Sequence, residues 1–209
     1  MCGCVATDSP KKMFEQFSIA FTGSGLLLAL FVPLLLTLFL RIIGRGVPPA
    51  CEVPGMPAGI GGLLLVLLFF LSVDAMLQLF ELGRGAGEVA RVISMDADFA
   101  WPAIKTIIPG AIVVFALLAA IMVLTIGRSR AALWTAVVLL WVAGPGGDFL
   151  KAVILGIPVD VSSGFAGIST FTILATIYLL FSNRSAFTYG LSSAKKIEKA
   201  YLAKRNLAS

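Results

Sequence analysis

Residues 54–73 read PGMPAGIGGLLLVLLFFLSV and contain no charged side chain. A helix rises about 1.5 Å per residue, so about 20 apolar residues cross a hydrocarbon core of roughly 30 Å. Apolar and polar residues do not alternate in this run, as they would in the strands of a membrane β-barrel. The run therefore predicts a membrane-spanning helix, which reaches its full length by continuing through Asp74 to about Leu82.

The rest of the chain repeats this pattern. Of its 209 residues, 59% are hydrophobic and 13% are charged, whereas about a quarter are charged in an ordinary soluble domain. Four further stretches carry no charge, at residues 18–40, 106–127, 131–147 and 161–183. The first is longer than the apolar part of a signal peptide and ends at Arg41. We therefore predict an all-α, polytopic membrane protein with five transmembrane helices.

Composition also divides the chain into segments. Residues 44–58 are rich in proline and glycine, which interrupt regular secondary structure, and they separate the first helix from the others. We predict an N-terminal tail at residues 1–16, a first transmembrane helix at 17–43 and a linker at 44–58. A four-helix transmembrane bundle follows at 59–183, and a basic cytoplasmic tail at 184–209.

Residues 83–105 form the longest segment between two predicted spans of the bundle. Its apolar side chains interleave at roughly helical spacing with charged ones such as Glu88 and Arg91, which is the pattern of an amphipathic helix. Trp101 follows, and tryptophan prefers the depth of the lipid headgroups. We therefore predict an amphipathic helix over residues 86–101 that lies in the membrane interface.

The basic residues are unevenly distributed along the chain. Residues 184–209 carry six of the 16 Lys and Arg residues. Short cytoplasmic segments are enriched in these residues, so we predict a cytoplasmic C-terminus, and five spans then place the N-terminus on the opposite side. We expect five basic side chains of the tail to contact anionic lipid headgroups or an acidic partner surface. They are Lys195, Lys196, Lys199, Lys204 and Arg205.

Five polar residues lie at membrane depth or close to it, where charge is costly and usually has a function. They are Asp74, Gln78, Glu81, Asp148 and Lys151. The first three are spaced four and three residues apart, so they share one face of the second helix. One hypothesis is that Lys151 pairs with Asp74 across the bundle, which leaves an acidic vestibule for a cation or a basic partner segment. The alternative is that all five are solvated groups at helix ends.

The sequence offers little for catalysis. It contains no histidine, which is the commonest metal ligand and the side chain that titrates near neutral pH. Cys2, Cys4 and Cys51 do not have the spacing of a zinc or iron–sulfur site. The Gly-Pro-Gly-Gly sequence at 144–147 is expected to end the fourth helix rather than to form a transport site. We therefore predict no enzyme and no catalytic, cofactor or metal site.

Two short motifs give a resemblance to a known family. Gly61-Gly62 leads into the second helix, and the fifth is followed at once by Ser182-Asn183-Arg184-Ser185-Ala186-Phe187-Thr188-Tyr189. In these features residues 54–190 resemble the four-helix family called domain of unknown function 2569, and the first helix is an addition to it. The resemblance implies a four-helix membrane fold and a location in the bacterial inner membrane. In that membrane, the orientation predicted from the basic residues places the N-terminus in the periplasm. The resemblance implies no reaction.

Two classes of function remain open. The favoured one is a non-catalytic accessory or assembly subunit that packs against a larger membrane partner. The other is a small oligomeric transporter or channel, in which the acidic stripe on the second helix lines a path. We expect the lipid bilayer and either a membrane-protein partner or further copies of this chain as binding partners, and no nucleic acid.

Overall fold

A computed structural model describes residues 23–51, 58–156 and 163–206, and every regular element in these ranges is helical. The helices are α1 (Gly23–Arg45), α2 (Leu63–Met95), α3 (Ala100–Ile126), α4 (Arg130–Ala143), α5 (Pro145–Leu155), α6 (Ser163–Phe181), α7 (Asn183–Tyr189) and α8 (Ser192–Asn206). A short 3₁₀ turn, Ala97–Phe99, joins α2 to α3. For the described residues, the prediction of an all-α fold is confirmed.

The central helix of the bundle is α3. It packs against α1, α2, α4 and α5, and its short connections to α2 and α4 make it antiparallel to both. The core is aliphatic, with Leu64 and Leu68 of α2 packed in one cluster with Leu117 and Leu124 of α3 and Leu133 of α4. The first helix belongs to the same bundle, because α1 packs against α2 and α3.

Two of the described helices, α2 and α3, are individually long and apolar enough to cross a membrane. The consecutive pairs α4–α5 and α6–α7 pass the same test when each pair is taken as one broken span, which gives up to four. Helices of this length and composition are those of a membrane protein. The described side chains of α1 begin at Phe31, so α1 does not enter this count, and five spans remain a prediction.

The fourth predicted stretch consists of two helices. As expected, α4 ends at Ala143, directly before Gly144-Pro145. Pro145 then occupies the first turn of α5, where a missing N–H and a fixed φ are tolerated. The axes of α4 and α5 differ by 51°. The sequence predicts the break but not the second helix. The residues of α5 therefore do not continue along the axis of α4.

The amphipathic helix predicted over residues 86–101 is not a separate element. Residues 86–95 are the last turns of α2, which runs without a break to Met95. The chain turns only at Asp96, whose Oδ1 accepts a hydrogen bond of 3.0 Å from the backbone N–H of Asp98. A side chain that bonds two residues ahead in this way stabilises a turn, and the next helix, α3, begins at Ala100.

The boundary of the basic tail also differs from the prediction. Residues 185–189 of α7 are at most 1% exposed and belong to the core, although the tail was expected to begin at residue 184. The helix α7 is short and contains Arg184, so its composition resembles that of a loop. The helix ends at Gly190, which has a φ of 67°, a conformation that favours glycine. The tail helix, α8, follows.

Candidate functional site

The carboxylate deepest in the predicted second span is that of Asp74. It lies eleven residues after the start of α2, which is roughly 16 Å along the helix at 1.5 Å per residue. This depth is near the middle of a hydrocarbon core of about 30 Å. The side chain is only partly exposed, and Gln78, one turn further along α2, is the polar side chain beside it.

A cavity of about 300 Å³ lies at Asp74 between α2, α3, α4 and α6. Apart from Asp74 and Thr172, its walls are apolar side chains and glycines. We call it the lateral cleft, and its lining residues are Phe70, Leu71, Val73, Asp74, Leu77, Leu117, Leu140, Ala143, Gly144, Gly167, Ile168, Phe171 and Thr172. A pocket that is mainly apolar with a few converging polar groups is the usual form of a binding site.

Two glycines shape the lateral cleft. At the end of α4, a Cβ on Gly144 would lie 2.5 Å from Thr172 Oγ1, so only glycine allows α6 to approach this closely. On α6, a Cβ on Gly167 would meet nothing within 4 Å, which means that the cleft is open at this point. The Thr172 hydroxyl donates to Ile168 O at 3.0 Å, and its oxygen keeps lone pairs with which to accept.

The lateral cleft opens sideways, between α2 and α6. In the described part of the chain these two helices do not pack along their lengths. They meet where Phe70 and Phe171 stack edge to face, with ring centroids 6.4 Å apart. Phe70, Leu77 and Ile168 line the cleft and are exposed. If α2 and α6 cross a membrane, the opening faces the interior of the bilayer.

The predicted pairing of Lys151 with Asp74 is wrong. Lys151 Nζ lies 2.9 Å from Oδ1 of Asp148, three residues earlier on the same helix. Both residues lie on α5, beyond the bend that separates it from α4, and neither of them lines the lateral cleft. Glu81 pairs with Arg84 at 3.7 Å, and both side chains are exposed. The five polar residues therefore do not form one vestibule.

Of the five, Asp74 alone lines the lateral cleft. The two ion pairs found among the described residues are those of Asp148 and Glu81, and neither includes Asp74. Within the same ranges no three acidic, cysteine or histidine side chains are grouped so that they could hold a metal ion. The polar groups of the cleft are therefore one carboxylate, of Asp74, and one hydroxyl, of Thr172, in otherwise apolar surroundings.

A second polar site, at the opposite end of α2 from Met95, was not indicated by the sequence. Tyr189 Oη donates to Leu124 O at 2.7 Å, and Thr188 Oγ1 accepts from Gly59 N at 3.0 Å. The guanidinium of Arg184 lies against Gly61 and Gly62. The two motifs that carry the family resemblance are thus in contact, which their separation of about 120 residues conceals in the sequence.

Arg128 joins the ends of α1 and α3 at this second site. Its guanidinium donates to Gly44 O at 3.0 Å, and also to the carbonyls of Leu124 and Gly127. Burial lowers the pKa of Arg128 from its ordinary value, and the adjacent Tyr189 opposes this effect. A guanidinium nevertheless stays charged at neutral pH. Its bonds to backbone carbonyls indicate a structural role for Arg128.

The predicted basic contact residues lie on α8. Lys195, Lys196 and Lys199 are exposed. The side chains of Lys204 and Arg205 lie outside the described residues, and so do Cys2 and Cys4 of the sequence. The exposed lysines carry positive charge beside the end of the bundle that contains Arg128 and Arg130, because Arg130 Nε donates to Gly190 O, two residues before α8 begins.

Comparison of the chain with family models, with curated proteins and with solved structures finds no match. The resemblance to the domain of unknown function 2569 family therefore stays a prediction. The features of the molecule that bear on its function are the lateral cleft and the charge of the described surface.

Proposed function

We propose that this chain is a non-catalytic membrane subunit that packs against a larger membrane protein through the lateral cleft. The observation that carries the proposal is the position of Asp74, whose carboxylate faces an apolar cleft near mid-membrane depth. Ionisable groups within a membrane almost always pair with one another or face water. Among the described residues no basic side chain pairs with Asp74, and we assign this role to a group from another protein.

The topology of the subunit is part of this proposal. We place five spans in a bacterial inner membrane, with α1 as the first and the bent pairs α4–α5 and α6–α7 as the last two. The apolar surface of α1 supports its inclusion, since Leu34, Leu35, Leu38 and Ile42 are all about half exposed or more. The exposed lysines of α8 support a cytoplasmic tail held against anionic lipid headgroups.

The proposal is tested by filling the lateral cleft. Gly167 faces open space, so Gly167→Leu introduces a side chain at the mouth of the cleft without a clash inside the folded chain. The matched control is Gly83→Leu on α2, where a Cβ also meets nothing within 4 Å. Tagged variants are expressed in the native host and purified in a mild detergent, and the co-purified polypeptides are quantified by mass spectrometry.

We expect wild type and Gly83→Leu to retain the same membrane-protein partner in stoichiometric amount, and Gly167→Leu to lose it while eluting as a folded species. Equal recovery of the partner with all three variants would contradict the proposal. So would purification of wild type as a symmetric homo-oligomer with no second polypeptide, which would favour the alternative, a small oligomeric transporter or channel.

A further inference from the structure

The kind of group that enters the lateral cleft follows from its chemistry. Resting on the proposed function, we infer that the cleft receives a lysine side chain from a membrane helix of the partner, and that the lysine ammonium pairs with the carboxylate of Asp74.

The charge of the cleft selects a cation. Asp74 is its one acidic residue, and the ion pairs of the described residues leave Asp74 out. Gln78 beside it is neutral and cannot compensate a negative charge. Moving an unpaired carboxylate into an apolar medium is costly, and an ammonium with good geometry offsets that cost. An occupant that is neutral or acidic would leave the cost in place.

The shape of the cleft favours lysine over arginine. Its walls are apolar, and they match the four methylene groups of a lysine side chain. The polar groups that line it are the carboxylate of Asp74 and the hydroxyl of Thr172. They offer three oxygen atoms as acceptors, which equals the number of N–H donors of an ammonium and is fewer than the five donors of a guanidinium.

The aromatic residues at the opening favour a cation as the occupant. Phe70 and Phe171 stand edge to face and line the cleft beside Asp74. The face of an aromatic ring attracts a cation within about 6 Å, and the attraction increases when water is absent. The opening lies between two helices at membrane depth, so the side chain that enters comes from a helix lying alongside α2 and α6.

A model helix tests the inference without knowledge of the partner. The probes are three oligoleucine peptides of about 20 residues, long enough to span a bilayer, with Lys, Ala or Glu at the central position. Each is reconstituted with the full-length chain in phosphatidylcholine vesicles, and association is measured by energy transfer between dyes on the peptide and on the C-terminal tail. We expect the lysine peptide to bind wild type about tenfold more tightly than the alanine peptide, the size of an interhelical polar contact.

Variants of Asp74 assign the preference to its charge. We expect Asp74→Asn to reduce binding of the lysine peptide to the level of the alanine peptide, and Asp74→Glu to keep the preference. Asp74→Lys should bind the glutamate peptide instead, which also shows that the variant folds. The control is Glu81→Gln, because Glu81 is exposed, pairs with Arg84 and lies outside the cleft.

Equal affinities of the lysine and alanine peptides for wild type would overturn the inference, and so would an unchanged lysine preference in Asp74→Asn. The proposed function fails in a different experiment, the co-purification of Gly167→Leu with the native partner. If that partner is lost with Gly167→Leu but the peptides show no lysine preference, the docking site stands and its lysine occupant does not.

Discussion

One hydroxyl group connects α7 to the central helix. Leu124 lies in the last turn of α3, where backbone carbonyls lack a partner within the helix, and its oxygen accepts from Tyr189 Oη at 2.7 Å. The Tyr189 side chain is fully buried. A buried carbonyl that loses its donor bears a desolvation cost. This bond therefore helps to hold α7 within the core.

We expect Tyr189→Phe to lower the free energy of unfolding by about 1–2 kcal/mol, the cost of an unpaired buried polar group. Arg128 Nη1, at 3.4 Å, remains as a weak donor to Leu124 O and keeps the loss moderate. The measurement is reversible denaturation in mixed micelles. The control is Tyr178→Phe, because no side-chain hydrogen bond of Tyr178 is found in the described part of the chain. Equal effects of the two variants would contradict the role of Tyr189.

Gly62 is a second position at which one residue determines local structure. It precedes α2 with a φ of 55° and a ψ of −135°, a combination that side chains other than glycine rarely adopt. We expect Gly62→Ala to destabilise the protein by about 1–3 kcal/mol. Gly61→Ala should cost less, because its Cβ meets only the flexible end of Arg184. Thermal unfolding of both variants in the same detergent tests the order, and the reverse order would contradict it.

At the scale of the helices, three glycines of α2 lower stability, whereas Gly62 is required by its backbone conformation. Gly83, Gly85 and Gly87 lie inside a continuous helix, and a Cβ on any of them meets nothing within 4 Å. Glycine inside a helix is less favourable than alanine by about 1 kcal/mol. We therefore expect Gly83→Ala and Gly87→Ala each to stabilise the end of α2 by up to that amount. Slower amide hydrogen exchange over residues 84–95 is the measurement, and faster exchange would mean that these turns need glycine.

The length of an uncharged apolar run was enough to predict the two long helices α2 and α3. The stretches at residues 54–73 and 106–127 correspond to α2 and α3, because a long uncharged run can satisfy its backbone within a membrane only as a helix. The bounds differ, since α2 begins at Leu63 and runs past Leu82 to Met95, and α3 begins at Ala100. The predicted end of α4 at Gly144 was also correct, since proline and glycine interrupt helices locally. Both features depend on residues that are neighbours along the chain, so they can be predicted from a single sequence.

What the sequence did not contain is the arrangement of helices around each other. Spacing placed Asp148 and Lys151 on one face of a helix, but the bend of 51° before them determines which residues they can reach. Charge alone gave no sign that Lys151 bonds within α5 rather than to Asp74. The lateral cleft depends likewise on Gly144, whose missing side chain lets Thr172 of α6 approach the end of α4, a relation that no local pattern indicates.

At the scale of the whole molecule, charge is distributed unevenly between the two ends of the bundle. Arg128 and Arg130 lie at the end where α7 is buried, and the lysines of α8 follow beside it. The other end carries the exposed pair Glu81–Arg84 and the acidic turn at Asp96. This asymmetry is what the preference for positive charge in the cytoplasm produces, and it supports the proposed orientation.

The orientation and the bent pairs can be tested together by single cysteines in a background without native cysteine. Ser94→Cys, Lys151→Cys and Ser192→Cys lie at exposed positions, and the surface pair lost at Lys151 contributes little to stability. Intact cells are treated with a membrane-impermeant maleimide before and after permeabilisation. If α4 and α5 form one broken span, Ser94→Cys and Lys151→Cys should react in intact cells, and Ser192→Cys only after permeabilisation.

Lys151→Cys is the deciding position of the three. A helix pair bent by 51° either continues across the bilayer or returns to the side from which it entered, and only the return would place residue 151 beside the cytoplasmic tail. Labelling of Lys151→Cys only after permeabilisation would therefore make α4–α5 a re-entrant hairpin. If Ser192→Cys also reacts only after permeabilisation, α6–α7 returns to the cytoplasm as well, and two of the five proposed spans are removed. Labelling in intact cells keeps the lateral cleft between complete spans, where a lysine-bearing partner helix can reach Asp74 from within the bilayer.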